Sequence, residues 1–385
     1  MPGKIPLSLY IHIPWCVRKC PYCDFNSHGL KPGQTADDLP EAEYVAALLA
    51  DLDQDLYLIG DRPLTSIFIG GGTPSLFSPK AIRSLLDGVR SRIAFTDEIE
   101  ITLEANPGTV EQSRFEGYRA AGINRLSMGV QSFNAKHLFS LGRIHSGDEA
   151  AKAAKAARAA GFDNFNLDLM YALPSQTLAQ AKEDIAKAIA QSPSHISHYQ
   201  LTLEPNTLFH QKPPSLPDDD SAWEMQEACQ QMLADAGYQH YEVSAYAKGG
   251  NTAKHNLNYW WFGDYLGIGA GAHAKISTSK GVLRQWKQRL PAKYLETAAT
   301  EKVRGGESFV EIADLPFEFM LNSLRLQQPM TWQLFEQRAG VSKDLLLPKL
   351  NLAVEKGFID FDDERLTVTE LGQRFQNDLL VLFMP

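Results

Sequence analysis

The sequence predicts an α/β fold: an incomplete barrel of six β/α units, a partial (β/α)6 TIM-like barrel, followed by a small α+β domain. Three observations lead there. Short β-rich runs alternate with helical ones over the first 200 residues, the pattern of parallel strands joined by crossover helices. The chain has 385 residues, more than one ordinary compact core needs but suited to a large α/β domain plus a small one. Past about residue 305 the texture changes to three helical segments and a hairpin. The boundaries expected are 1–240 for the barrel, 241–305 for an aromatic and glycine-rich extension packing on it, and 306–385 for a winged-helix-like domain.

The elements follow in order. Ser8–Ile13 alternates as a strand and leads into a cysteine loop, and Tyr44–Leu58 carries apolar residues at helical spacing. Ser66–Ile69 is a second strand ending in Gly70–Gly72, and Pro79–Arg92 a helix with Pro where a first turn tolerates it. Glu98–Leu103, Arg125–Val130, Phe165–Leu169 and His195–Leu203 read as further strands. Helices at Val110–Ala121, Asp148–Ala160 and Leu178–Ala190 alternate with them. A helix at Asp218–Ala236 and a strand at Tyr241–Ser244 close this part. Later come helices at Phe317–Leu326, Trp332–Arg338 and Lys343–Lys356, then Phe358–Phe361, a turn at Asp362–Glu364 and Leu366–Val368.

Composition narrows the function classes. An apolar content of 44% with 22% charged residues is that of a folded, water-facing chain, and no stretch approaches the length of a bilayer span. No signal peptide is read at the N-terminus, where Lys4 is followed directly by a strand. A net charge of −9 argues against non-specific nucleic-acid binding. Four cysteines, three of them clustered and Cys229 apart, exclude a disulfide framework and point to the reduced cytoplasm.

The cluster is the strongest chemical signal. Cys16, Cys20 and Cys23 form a C-x3-C-x2-C run. Thiolates are the soft ligands that iron–sulfur clusters prefer. Three of them leave one iron of a [4Fe–4S] cubane open to a further ligand, whereas a closed structural site normally uses four. Spacing alone leaves two other readings open: a zinc site completed by His12 or His28, and three unrelated buried thiols.

The segment resembles a family. C-x3-C-x2-C after a short apolar strand is the signature of the radical SAM superfamily. The longer run Leu7–Cys16 is similar to its coproporphyrinogen-III-oxidase-like branch, and the chain as a whole is most similar to the HemW-type heme chaperones. That resemblance implies a radical SAM core, a [4Fe–4S] cluster on the three cysteines as metal ligands, and bound S-adenosyl-L-methionine (SAM). It implies SAM contacts from Tyr10 and Tyr22, from Gly71, Gly72 and Thr73 of the Gly70–Pro74 run, and from Glu104, Gln131, Arg143 and Asp168. Three glycines let backbone approach a ligand closely with free N–H groups, and barrel ligands converge at strand ends. Taken singly, each polar residue reads first as structural, and it is their order and spacing together that match the pattern of the coproporphyrinogen-oxidase branch. His255-Asn-Leu-Asn-Tyr-Trp260 matches the chaperones' HNxxYW motif, so His255 is the candidate heme contact, against the ordinary reading of a core histidine. Gly267–His273 resembles a dinucleotide fingerprint only weakly and reads as a packing loop.

The implied role is to bind heme as cargo and deliver it to heme-accepting proteins such as respiratory enzymes, with peripheral membrane association through those partners. If SAM is cleaved, an electron donor such as a flavodoxin or ferredoxin is required, and whether the protein is an enzyme stays open. One alternative is an oxygen-independent coproporphyrinogen III oxidase. Phe25 stands where those enzymes carry a further cysteine, and the chain begins nine residues before Tyr10 without their longer extension. The other alternative is a nucleic-acid-modifying radical SAM enzyme.

Overall fold

A computed structural model describes residues 5–108 and 112–385. Strand β1 (Leu7–Ile13) sits inside a twelve-stranded sheet. It pairs in parallel with β2 (Leu64–Gly71), and the parallel ladder continues through β3 (Phe95–Ala105), β4 (Arg125–Gln131), β5 (Phe165–Tyr171) and β6 (His195–Gln200). Helices α1 (Glu41–Asp55), α2 (Pro79–Arg90), α3 (Phe115–Ala121), α4 (Ala135–Ser140), α5 (Gly147–Ala159) and α6 (Leu178–Ala190) fill the connections. The helix expected from Val110 begins at Phe115; Val110 and Glu111 lie outside the described residues.

Local chemistry accounts for the helix starts. Ser146 with Glu149 and Thr177 with Gln180 form capping boxes at α5 and α6, each satisfying two otherwise orphaned donors. Ser78 caps α2 by accepting from the Ala81 N–H. On α5 the buried face is Ala150, Ala153, Ala154 and Ala157, small enough to bring that helix close to the sheet. The outward residues of the strands, among them Leu9, Ile11, Ile67, Leu126, Leu167 and Ile196, make the main core with α1, α2 and α5.

Both ends of the parallel array are extended by antiparallel strands. After α7 (Asp219–Asp235), β7 (Gln239–Glu242) and β8 (Ala245–Ala247) add beside β6 in the order β6-β8-β7. They divide the strand expected at Tyr241–Ser244 at its second half. At the other end β9 (Asp264–Ile268) lies parallel to β1, followed outward by β10 (His273–Thr278), β11 (Gly281–Lys287) and β12 (Arg304–Phe309). The stretch read from the sequence only as aromatic and glycine-rich thus holds α8 (Lys254–Trp260) and strands of the same sheet.

Two buried ion-pair networks fasten this addition. Lys287 Nζ meets Asp51 at 2.6 Å and Asp55 at 2.5 Å, with Arg304 also on Asp55 at 3.0 Å, tying β11 and β12 to α1. Lys275 and Arg62 share Asp264 at 3.0 and 2.6 Å. Burial lowers Lys275 to about 8, opposed by Asp264. Buried pairs of this kind fix geometry more than they add stability.

The last domain has its own core of Phe319, Trp332, Phe335, Leu350, Ile359 and Leu366. Helices α9 (Pro291–Thr297) and α10 (Leu315–Ser323) lead to it, and α11 (Trp332–Ala339) and α12 (Leu347–Glu355) continue it. A three-stranded sheet forms in the order β13-β15-β14, from β13 (Met330–Thr331), β14 (Ile359–Phe361) and β15 (Arg365–Val368). A terminal helix, α13 (Gln376–Phe383), which the sequence did not announce, closes it through Leu379 and Phe383. Phe262, just after α8, belongs to this second core. Among the described residues no helix is long and apolar enough to cross a membrane.

Candidate functional site

Period-two alternation puts every second strand residue into the barrel lumen. On β3 to β6 those positions are Glu104 and Asn106, then Arg125, Ser127, Gly129 and Gln131, then Asn166 and Asp168, then Ser197 and Tyr199; all border one cavity of about 510 Å³. A (β/α)8 barrel usually fills its interior with branched apolar side chains. Here the lumen is polar and open.

The cysteine loop lies over its mouth. Cys16, Cys20 and Cys23 all border the cavity and none is in a disulfide. Burial pushes Cys16 up to about 11 and Cys23 in the same direction. Cys23 Sγ lies 3.6 Å from Ser27 Oγ, and Arg143 Nη1 donates to Cys20 Sγ at 3.6 Å. Among the described residues no three His, Cys, Asp or Glu side chains converge as a single metal ion requires. His12 has both ring nitrogens engaged, by Tyr10 Oη at 2.8 Å and the Asn26 carbonyl at 3.0 Å. A zinc ion needs its ligands gathered within about 2.3 Å of one point. Three thiols bordering one cavity are a donor set that a cubane, which takes each at a separate corner, can use.

The glycine turn after β2 fits against this loop. Gly71 has φ +119°, and a Cβ there would lie 2.6 Å from the His12 ring; one on Gly72 would lie 2.5 Å from the Trp15 carbonyl. The N–H groups expected to be free for a ligand are in use: Gly71 donates to Glu104 Oε2 at 3.1 Å, Gly72 to the Ile13 carbonyl and Thr73 to the Trp15 carbonyl. The glycines therefore let β2 press against the cysteine loop, a packing role in place of the ligand contact expected of them.

Deeper in, Glu104 is pushed up to about 8, chiefly by burial and then by the charge of Asp168, so it carries a proton at neutral pH. Burial also raises Asp168, which accepts from Ser127 Oγ at 3.0 Å and Asn166 Nδ2 at 2.8 Å. Gln131 ends β4 with φ +66°, and its Oε1 accepts from Tyr199 Oη at 2.8 Å. Arg143 Nη2 donates to Asn106 Oδ1 and the Gly129 carbonyl, both at 2.7 Å, while its buried Nε has no partner. Asn106 Nδ2 in turn donates to Thr73 Oγ1 at 3.1 Å.

Of the expected residues, Tyr22, Gly71, Gly72, Thr73, Glu104, Gln131, Arg143 and Asp168 border the cavity with the cysteines. Tyr10 and His255 are placed behind its wall. Tyr10 holds His12, with its ring stacked on Phe68. His255 is buried, with Nε2 2.6 Å from Tyr259 Oη and Nδ1 3.3 Å from Ser66 Oγ, and its ring is stacked on Phe68. Burial lowers it to about 3. Its neighbour Asn256 is the motif residue that borders the cavity. Asn106, Arg125, Asn166 and Tyr199 were missed, although polar residues alternating with apolar ones along β3 to β6 signalled a polar lumen.

Comparisons with known proteins show what the chain as a whole is similar to. The radical SAM superfamily model matches residues 10–188, and the HemN C-terminal domain model matches residues 312–375. The heme chaperone HemW of Haemophilus influenzae is 51% identical over 100% of this chain and 99% of its own length. That of Escherichia coli is 50% identical over 98% of each, and that of Bacillus subtilis 32% identical over 98% of this chain and 99% of its own. Among solved structures, coproporphyrinogen III oxidase (HemN) from Escherichia coli superposes with a TM-score of 0.82 at 23% identity, covering 99% of this chain and 90% of that one. At that identity the likeness is one of fold.

Proposed function

We propose, since this chain belongs to the radical SAM superfamily and to the HemW heme-chaperone family within it, that it binds a [4Fe–4S] cluster, SAM and heme, and delivers the heme to proteins that require it, respiratory enzymes among them. The observation that carries the reading is the convergence of three thiols, a close-packed glycine turn, two carboxyls and Arg143 on one polar cavity.

Cys16, Cys20 and Cys23 would hold the cluster, and a bound metal ionises coordinating thiols outright whatever their burial. Arg143 beside Cys20 offsets part of that negative charge. Glu104 and Asp168 are acceptors for the amino and hydroxyl groups of SAM, with Gln131 and Tyr22 at its sides. Tyr10 serves through His12, holding the strand that carries the cysteine loop. When bound, the cluster and SAM supply one-electron chemistry at the sulfonium; this chain's residues bind, orient and exclude bulk water.

Heme enters as cargo. Val17, Phe25 and Ile144 are exposed apolar side chains at the cavity mouth, a surface suited to a porphyrin face. His255 reaches a heme iron only by giving up Tyr259 and Ser66. A cytoplasmic setting and, where SAM is cleaved, an electron donor such as a flavodoxin or ferredoxin belong to the same proposal.

The test is an anaerobic assay of the reconstituted protein with coproporphyrinogen III, SAM and a reductant, run beside a heme titration. Stoichiometric heme binding without decarboxylated product is the expected result. Decarboxylated product would replace this reading with the oxidase.

A further inference from the structure

The lower lumen contains a cation that the proposed cluster and SAM contacts leave unused. Arg125, at the start of β4, is 2% exposed and borders the cavity. Its side chain makes no hydrogen bond among the described residues: Nε is buried without a partner, and the Glu100 carboxylate stands off at 4.0 Å. Glu100 is committed elsewhere, accepting the backbone N–H groups of Lys254 and His255 at 3.1 Å each. The other polar groups at this level, Ser127, Asn166, Ser197 and Asn256, are neutral. Two lumen carboxyls stand higher on the neighbouring strands: Glu104, level with Ser127, accepts from the Gly71 N–H, and Asp168, level with Gly129, is held by Ser127 and Asn166. A guanidinium taken out of water without hydrogen bonds is costly, and beyond the distant Glu100 carboxylate such a group calls for acceptors at hydrogen-bond range that the described residues do not supply.

We infer that Arg125 is the anchor for a carboxylate carried by the molecule that fills the lower lumen. A planar fork of donors matches a carboxylate bidentately. Gln131 lies six residues further along β4, roughly 20 Å at about 3.3 Å per residue, and Glu104 stands two residues above the level of Arg125. A SAM held at the cluster does not present its own carboxylate there. Two sources do: a propionate of a porphyrin lodged in the barrel, or the α-carboxylate of a second SAM. The inference rests on the proposed reading, since both molecules come from it.

The experiment titrates the reconstituted full-length protein with heme, heme dimethyl ester, SAM and decarboxylated SAM, for wild type, Arg125→Met and Arg125→Lys. A charged hydrogen-bonded pair predicts about tenfold or greater preference for the acid form over its carboxyl-less analogue. Arg125→Met should abolish that preference, and Arg125→Lys should shrink it several-fold because the fork is lost. Loss confined to the heme pair identifies a propionate; loss confined to the SAM pair, with one SAM fewer bound, identifies a second SAM. A preference that survives Arg125→Met unchanged overturns the inference. Should that variant not fold, an unchanged preference in Arg125→Lys overturns it equally. Wild-type protein that binds neither heme nor SAM would instead sink the functional reading, a different result from binding that ignores Arg125.

Discussion

Replacing Glu104 with Gln should stabilise the protein without cofactors at alkaline pH. A carboxyl raised from 4.5 to about 8 holds its proton in the folded state while the unfolded chain has lost it. The stability it contributes is therefore fully present below about pH 4.5 and is lost as pH rises to 8. At 1.36 kcal/mol per pH unit the full shift corresponds to about 5 kcal/mol. Glu104 borders a cavity and keeps a hydrogen bond from Gly71, so water and that donor reduce the effect; about 2 kcal/mol is the reasonable size. Urea unfolding at pH 5.5 and 8.5 reads it: wild type should lose about 2 kcal/mol more than Glu104→Gln between the two, with the m-value unchanged. In the reconstituted protein the same variant should bind SAM more weakly, because the carboxyl can give up its proton to pair with the SAM amino group and the amide cannot. Parallel pH profiles for the two proteins would refute the reasoning, since Asp168 and Tyr10, the other groups coupled to this site, are present in both.

Cys20→Ala should remove iron, acid-labile sulfide and visible absorbance together; a brown protein of unchanged iron content would break the ligand assignment. His255→Ala leaves a cavity and an unpaired Tyr259 hydroxyl, costing about 2–4 kcal/mol in denaturant unfolding; if heme affinity falls while stability does not, His255 touches the cargo after all. Lys287→Met leaves buried Asp51 without its cation and Asp55 with Arg304 alone and should cost about 3–5 kcal/mol; a loss under 1 kcal/mol would show that the pair carries no net burial cost. Gly72→Ala drives a methyl group into the Trp15 carbonyl and should lower cluster retention against a chelator, with global unfolding changed less than cluster loss.

The residues of the candidate site differ in how far they could be read in one dimension. The cysteine spacing survives any fold, because three thiols within eight residues meet one cavity wherever the loop goes. Glu104, Gln131 and Asp168 lie on strands whose alternation is local, so their lumen facing follows from register. Tyr10 and His255 fell outside the cavity because a neighbouring side chain intervenes: Phe68 stacks on both rings, a contact between strands and a helix almost 190 residues apart. The N–H groups of the glycine turn were likewise taken, by the Glu104 carboxyl and by the Ile13 and Trp15 carbonyls, partners set by the packing of β2 against β1 and β3.

What the sequence determined by itself was the alternating β/α order, the thiol set and the polar period inside the strands, all properties of neighbouring residues. Tertiary structure decided that residues 264–309 join the same sheet beside β1. It also placed α8 below the lumen, offering Asn256 and not His255, and left Arg125 Nε without a hydrogen bond among the described residues. These outcomes depend on which distant groups share a low-dielectric interior, where each buried charge or donor must find a specific partner; no local pattern encodes that pairing.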